Sequence, residues 1–359
     1  MLLAGWLLLG LPELAEKTFG APSENLDSLQ RTYLSVYLLS HELDLTQPKD
    51  PLGAERHFVV PLGESTSAIS NRLQSEGLIP NAETFVNYLV YSGLDTSIQA
   101  GEYLLNSHLT PLEIANALQD ATPREITFRI LPGWRIEEIS ETLPTSGINL
   151  SPEAFKTSVT FPTAKSTSMF DLPPGATLEG FLYPDSYRLP RDITVDNFIE
   201  TLLDNYQMKV SAKIRQGFQD QGLNLFEAVT LASIVQREAV VEDEAPLIAS
   251  VFLNRLAAGM KLESDPTVQY ALGYNSDQGT WWTNPLSVED LQINSPFNTY
   301  LYPGLPLGPI SNPSLGMMSA IAFPEQTTYL YFRAACDGSG RHTFTETFEE
   351  HLANACPEE

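Results

Sequence analysis

The stretch that most constrains this chain is Asn224 to Ala239, NLFEAVTLASIVQREA, which reads as one amphipathic helix ending in an acid. Asn224 followed three residues later by Glu227 is a capping-box start. Ala228, Leu231, Ala232 and Val235 recur at helical spacing and form the expected buried stripe. At about 100° per residue, Glu238 falls within ~20° of Leu231, on that apolar stripe, whereas Gln236 points roughly 200° away from Glu238. A carboxyl on the buried side of a helix loses hydration, so its pKa should rise and it becomes a candidate general acid. The plainer alternative is a carboxylate at the helix edge, snorkelling to water or paired with Arg237 or Arg255.

The 359 residues suffice for two domains, or one large and one small. With 20 basic and 45 acidic residues the formal charge is −25, a surface that repels phosphate backbones, so nucleic acid is not an expected partner. The opening run, MLLAGWLLLGLPELA, is broken at Pro12 and Glu13 and is shorter than the about 20 residues a bilayer span needs. It also lacks the basic flank of a signal peptide. Two readings stand: a soluble N-terminal helix, or the tail of a membrane anchor, which the Trp6-bearing Leu run favours. Only two cysteines occur, Cys336 and Cys356. A disulfide would suit an oxidising compartment, and two free structural thiols are the alternative. No zinc-ligand spacing is present, and no metal or other cofactor is expected.

In chain order, residues 24–45 suit a helix with Leu29, Tyr33, Val36, Tyr37 and Ser40 along one side, followed by a linker, TQPKDPLG. Residues 57–106 then read as a small β-α-α-β unit, with Ser65 or Thr66 capping the first helix and Asn81 opening the second. The unit is sized for binding rather than for a separate active site. An internal echo follows: VVPLGESTSAISNRL at 59–73 aligns with RILPGWRIEEISETL at 129–143, matching Gly63 to Gly133 and Leu73 to Leu143. Residues 150–174, rich in Ser, Thr and Pro, read as loop. ATLEGFLYPDSYRLP at 176–190 gathers Glu179, Tyr183, Asp185 and Tyr187, either as a sugar-binding surface or as a packed structural turn. DNFIETLLDNYQMKVSAKI and EDEAPLIASVFLNRLAAGM read as helices, the second with Pro246 in its first turn and Gly259 as its stop. The end of the chain reads as a hairpin, with a strand from Tyr329 to Ala334, a short DGSG connection and a second strand carrying His342.

There is no phosphate loop, no HExxH and no GxSxG. What remains is carboxylate chemistry among aromatics and amides, which suits glycosidic bonds. The segments LASIVQREA (231–239), LEGFLYPDSY (178–187), SDPTVQYALG (264–273), FNTYLYPGLPLGPISNPS (297–314) and GRHTFTETFEEHLAN (340–354) together resemble the YceG-like endolytic murein transglycosylases, the MltG family. FVVPLGESTSAISNRLQSEGLI is similar to that family's LysM-like module, and LPGWRIEEISETL to the start of its catalytic part. The resemblance covers about residues 57–356 in order.

It implies an α+β chain: a partial membrane anchor or apolar segment over 1–12, helix and linker over 13–54, a LysM-like β-α-α-β module over 55–125 and a larger α+β catalytic domain over 126–359. It implies an enzyme at the cell membrane, anchored through its N-terminus with the catalytic domain extracytoplasmic. Such an enzyme cleaves the MurNAc–GlcNAc β-1,4 bond inside nascent peptidoglycan strands, leaves a 1,6-anhydroMurNAc end, terminates elongation and works beside cell-wall synthases. Glu238 fits the catalytic position. Glu179, Asp185, Tyr187, Asp265, Gln269, Asn298, Tyr300 and His342 are read as residues that place substrate or orient Glu238. The chain departs from the family at Gln236, where a second acid is common, and in its N-terminal segment, which is at best part of a transmembrane helix. Two other functions fit the same residues: a hydrolytic muramidase with Glu179 or Asp185 activating water, or a non-catalytic glycan-binding scaffold of cell-wall synthesis.

Overall fold

The computed structural model describes residues 2–121 and 125–356. It divides into two units, Met1–Arg124 and Glu125–Glu359, each around its own buried core. Helices combined with two-stranded antiparallel sheets make the fold α+β.

The first unit begins with α1 (Leu2–Phe19), which runs through Pro12 where a break was expected. A proline costs a helix one backbone hydrogen bond, and here the turns beyond it are held by packing, with Ala15 and Phe19 buried in the unit's core. Among the described residues no helix is long and apolar enough to cross a membrane. Asp27 and Gln30 form a capping box that starts α2 (Ser28–Ser40), and a short α3 (Glu42–Thr46) follows. The expected stripe on α2 is corrected: Leu34, Ser35 and Leu38 are buried, while Leu29, Tyr33 and Val36 face solvent. Alternative apolar faces on one helix are chosen by the neighbours that cover them, which periodicity alone does not reveal.

The small module is β1 (Glu55–Val60), α4 (Thr66–Ser75), α5 (Ala82–Ser92) and β2 (Gly101–Asn106), with α6 (Pro111–Ala117) after it. The strands pair antiparallel from Glu55↔Asn106 to Val60↔Gly101. Ser65 caps α4 and Asn81 caps α5 through their side-chain oxygens. Residues 122–124, at the end of the module as read from sequence, lie outside the described residues.

The second unit repeats the opening of that module, as the sequence echo indicated. After β3 (Glu125–Arg129) the chain turns at Gly133 with φ +82°, as it does at Gly63 with φ +80°, and enters α7 (Ile136–Ser146). The stretch read as loop holds two helices, α8 (Pro152–Thr160) and α9 (Ala164–Phe170). Its Ser and Thr residues are caps: Ser151 and Thr163 accept from backbone N–H groups one turn in, and Pro152 sits at the first helical position. β4 (Ser186–Pro190) returns antiparallel on β3. Then come α10 (Val195–Lys209), α11 (Ala212–Asp220), α12 (Leu225–Glu238), α13 (Ala245–Ala257), α14 (Asp265–Leu272) and α15 (Leu315–Ala322). The chain closes with β5 (Tyr331–Ala334), β6 (His342–Thr345) and α16 (Phe348–Ala353). Ala334 pairs with His342, so the hairpin connection is longer than the DGSG turn alone, and Cys336 is disulfide-bonded to Cys356 across α16.

α12 is the centre of this unit. It starts on the Asn224–Glu227 capping box, and every residue from Ala228 to Val235 is buried, not only the expected stripe. The polar side of the helix is covered because its groups are satisfied. Ser233 Oγ accepts from Ile310 N–H at 3.0 Å, and Ser311 Oγ donates to the Ser233 carbonyl.

Glu179 is part of this packing. Only 1% exposed, its carboxyl accepts from Ile136 N–H at 3.1 Å and from Asn312 Nδ2 at 3.0 Å, so it caps α7 and ties it to the 310–314 loop. Beside it Gly180 has φ +85°, and a Cβ there would lie 2.6 Å from Pro309 Cβ and 2.7 Å from Val229 Cγ1. Gly180→Ala is therefore expected to lower stability by about 2 kcal/mol or more in urea titration, combining forbidden backbone and overlap against α12. Loss of hydration, with Glu137 nearby, pushes the Glu179 carboxyl up to about 8 against the pull of Ile136 N–H and Arg135. The folded state thus keeps a proton that the unfolded chain releases near 4.5, so stability is lost as pH rises through that window and levels off above about 8. Unfolding free energies measured from pH 5 to 9 should fall more steeply for the wild type than for Glu179→Gln; parallel curves would overturn this assignment.

Candidate active site

The burial of α12 ends one turn before its C-terminus, and Glu238 emerges half-buried at the floor of a cleft of about 230 Å³. The cleft is walled by Leu262, Glu263 and Asp265 on one side and by Phe332, Arg333, Ala334 and His342 of the terminal hairpin on another. Tyr300 and Arg255 complete it. Ser264 Oγ donates to Glu238 Oε1 at 2.5 Å, which fixes the carboxyl and leaves Oε2 without a hydrogen bond among the described residues. Loss of hydration pushes the Glu238 carboxyl up to about 7. The Ser264 bond, Arg255 and Arg237 pull it down, and Asp265 pushes it further up. A carboxyl poised near neutrality can both give and take a proton at working pH.

The ion-pair alternative for Glu238 does not hold among the described residues. Arg255 donates to the carbonyls of Leu330, Lys261 and Leu262 and pairs with Glu263 at 3.3 Å. Arg237 turns to the other side and lies over the Trp282 ring, 3.8 Å from its centroid. Gln236 also points away: its Oε1 accepts from Ser314 N–H at 2.9 Å, at the start of α15, and it does not line the cleft.

Four of the residues singled out from sequence meet in the cleft, namely Glu238, Asp265, Tyr300 and His342. Tyr300 OH donates to Asp265 Oδ1 at 2.6 Å. His342 is held from behind, its backbone N–H and its Nδ1 both on the Glu244 carboxylate. Asn298 is fully buried outside the cleft, donating to the Leu291 and Ile293 carbonyls and accepting from Tyr300 N–H, so it shapes the loop that carries Tyr300. Gln269 holds another loop by donating to the Thr283 carbonyl at 2.8 Å. Glu179, Asp185 and Tyr187 stand apart from the cleft. Asp185 accepts from Ser186 N–H and Asn205 and pairs with Lys209, and buried Tyr187 donates to the Tyr183 carbonyl, which together fasten β4 to α10. The loop of 176–190 is thus a packed turn rather than a surface that faces Glu238.

Sequence reading missed Ser264. A serine directly before Asp-Pro looks like an N-cap, and Ser264 does occupy that position on α14. It makes no capping bond there, and its hydroxyl goes to Glu238 instead. Thr299 Oγ1 takes over part of the positioning by accepting from Ser264 N–H at 3.0 Å.

Comparison with known proteins shows what this chain is similar to. The model of the YceG-like family matches residues 58–356. An endolytic murein transglycosylase of Bacillus subtilis (strain 168) is 30% identical over 304 residues, 81% of each chain. An endolytic murein transglycosylase of Streptococcus pneumoniae (serotype 2, strain D39) is 27% identical over 317 residues, which are 82% of this chain and 57% of that longer one. The crystal structure of a YceG-like protein from Listeria monocytogenes aligns with a TM-score of 0.58 at 29% identity, over 83% of this chain and 98% of that one. With the family model matched along most of its length, this chain belongs to the YceG-like family.

Proposed function

We propose that this protein is an endolytic peptidoglycan transglycosylase that cleaves the MurNAc–GlcNAc β-1,4 bond within glycan strands and leaves a 1,6-anhydroMurNAc end. The observation that carries the reading is the Glu238 carboxyl, poised near neutrality on a fixed helix end, held through one oxygen and lining a cleft. Relatives named endolytic murein transglycosylases support the substrate class.

In the first step the protonated Glu238 gives its proton to the glycosidic oxygen as the C1–O bond of MurNAc breaks, and the GlcNAc O4 leaves as a hydroxyl. In the second, the C6 hydroxyl of the same MurNAc attacks C1, and the Glu238 carboxylate takes the proton from O6. No water is consumed, and one carboxyl serves as acid and then as base. Asp265 helps to keep Glu238 protonated until substrate arrives, and Tyr300 holds Asp265 in place. Water activation by Glu179 or Asp185, as a muramidase would need, finds no support, because both carboxyls are engaged elsewhere in the packing.

The reading extends to the protein's setting. A disulfide between Cys336 and Cys356 suits an oxidising compartment, which supports an extracytoplasmic catalytic unit. The apolar N-terminal run supports attachment at the cell membrane.

Uncrosslinked glycan strands digested by the protein should yield fragment ends lighter by one water than reducing ends, and Glu238→Gln should lower kcat/KM by about 10³-fold or more. Reducing ends in the mass spectrum would assign a hydrolase instead. The acid must be protonated in the free enzyme, so kcat/KM should fall about tenfold per unit above pH 7, and a flat profile to pH 9 would remove Glu238 from the first step. Because Gln236 faces Ser314, the double change Gln236→Glu with Glu238→Gln should stay as inactive as Glu238→Gln alone. Recovered cleavage in that double variant would move the chemistry to position 236.

A further inference from the structure

Arg237, the residue before the proposed acid, has a guanidinium that feels the Glu138 and Glu238 carboxylates but bonds to neither. Among the described residues it makes no ion pair and no hydrogen bond, and its Nε is buried without a partner. Arg135, Arg255 and Arg341 of the same unit are committed, to Glu137 at 2.6 Å, to Glu263 and three carbonyls, and to Asp243 at 2.8 Å; Arg191 shares the unpartnered Nε, but among the described residues no aromatic ring lies against it. In a chain with 45 acidic and 20 basic residues, a half-buried cation left unpaired is an unusual use of charge.

The site around it is built rather than incidental. Trp282 lies against the guanidinium at 3.8 Å, and Trp282 is itself fixed by donating from Nε1 to Glu138 Oε2 at 3.2 Å. One oxygen of Glu138 is thereby occupied, since it also accepts from Arg135 N–H, and Glu138 acts on Arg237 through its charge without a direct bond. The turn at Gly133 closes the other side, with Arg237 Nη1 3.4 Å from where a Cβ would stand. Loss of hydration lowers the Arg237 pKa more than Glu138 and Glu238 raise it, so the group still gains from an anion that reaches it. A planar guanidinium oriented on an indole, its N–H donors unspent, matches a carboxylate held by two parallel hydrogen bonds.

We infer that Arg237, braced by Trp282, is a carboxylate-reading subsite at the same helix end as Glu238 but on the side away from its cleft, which takes an acidic group carried on the muramyl residues of the glycan strand. This rests on the proposed substrate. Two sources share the chemistry: the lactyl carboxylate of a sugar stripped of peptide, and a carboxylate of an attached stem peptide. The subsite would let an acidic protein hold an acidic polymer in register with its acid, and would separate muramyl glycans from neutral N-acetylglucosamine polymers.

The test uses the full chain carrying Glu238→Gln, so that binding is read without turnover. Tryptophan fluorescence is titrated with three strand preparations: peptide-free strands with lactyl carboxylates, peptide-bearing strands, and peptide-free strands whose carboxyls are converted to methylamides. Binding of one or both acidic preparations about tenfold tighter than the methylamide is expected, which identifies the carboxylate source. Adding Arg237→Gln should erase that difference while leaving methylamide binding unchanged, and Arg237→Lys should restore part of it. Equal affinity for all three preparations, or a preference that survives Arg237→Gln, would overturn the inference. A loss of all binding in Arg237→Gln, methylamide strands included, would also overturn it, by assigning Arg237 to structure. Cleavage by the unsubstituted protein, run in parallel, judges the proposed reaction separately: strands cut to anhydro ends with equal affinities would leave the reaction standing and remove only the subsite.

Discussion

The structure depends on one demand: α12 must be surrounded by protein for most of its length and still deliver its last side chain to solvent. Small residues meet the first part. Ala228, Thr230, Ala232 and Ser233 permit close approach, and the hydroxyls that would otherwise lose their hydration find backbone partners in the helix and the 310–311 loop. The second part is met by where the covering elements stop. The 312–314 segment takes Gln236, the Trp282 ring takes Arg237, and Glu238 is left to the cleft. Three successive side chains at a helix end point in three directions, and each of the three has a separate task.

Two raised carboxyls, Glu179 and Glu238, show how similar electrostatics serve different ends. Both are pushed up chiefly by loss of hydration. Glu179 is closed in by Ile136 N–H, Asn312 and the Tyr270 hydroxyl, so its proton has nowhere to go and its cost is carried by the fold. Glu238 is held through one oxygen by Ser264, the other makes no hydrogen bond among the described residues, and the residue lines the cleft. A shifted pKa by itself would have nominated both, and accessibility separates them.

That distinction marks how far the residues alone could be read. The phase of α12, its capping box and the direction of Glu238 against Gln236 follow from 3.6-residue periodicity, which is local and strong. The repeated strand, glycine turn and helix at 59–73 and 129–143 was legible for the same reason. Long-range packing was not. Glu179, Asp185 and Tyr187 share one aromatic, acidic loop with no period, and only the tertiary fold shows that their polar groups are consumed by α7, α10 and the loop at 312. Ser and Thr at 151 and 163 signal a loop by composition and a helix by position, and position won because each found backbone N–H groups to accept from. Ser264 is the reverse case, a residue in a capping position whose hydroxyl is spent on Glu238.

The far wall of the cleft is built from a small element. β5 and β6 form a two-stranded hairpin, a form that is marginal in isolation, and α16 beyond them has no buried residue. Three links compensate. Phe332 packs edge-on against Phe252 of α13, Arg255 Nε donates to the Leu330 carbonyl, and the Glu244 carboxylate holds both His342 and Arg341. The disulfide from Cys336 to Cys356 then encloses β6 and α16 in a covalent loop, whose closure is worth on the order of 3 kcal/mol for a span of this size. Arg255 therefore does two things at once. It ties the hairpin to α13 through Leu330, and from inside the same cleft it adds a smaller downward pull on the Glu238 pKa. The hairpin wall also keeps water from Glu238, and loss of hydration is the largest influence on its proton affinity, so a hairpin that lifted away would return the carboxyl toward its ordinary value as it exposed it.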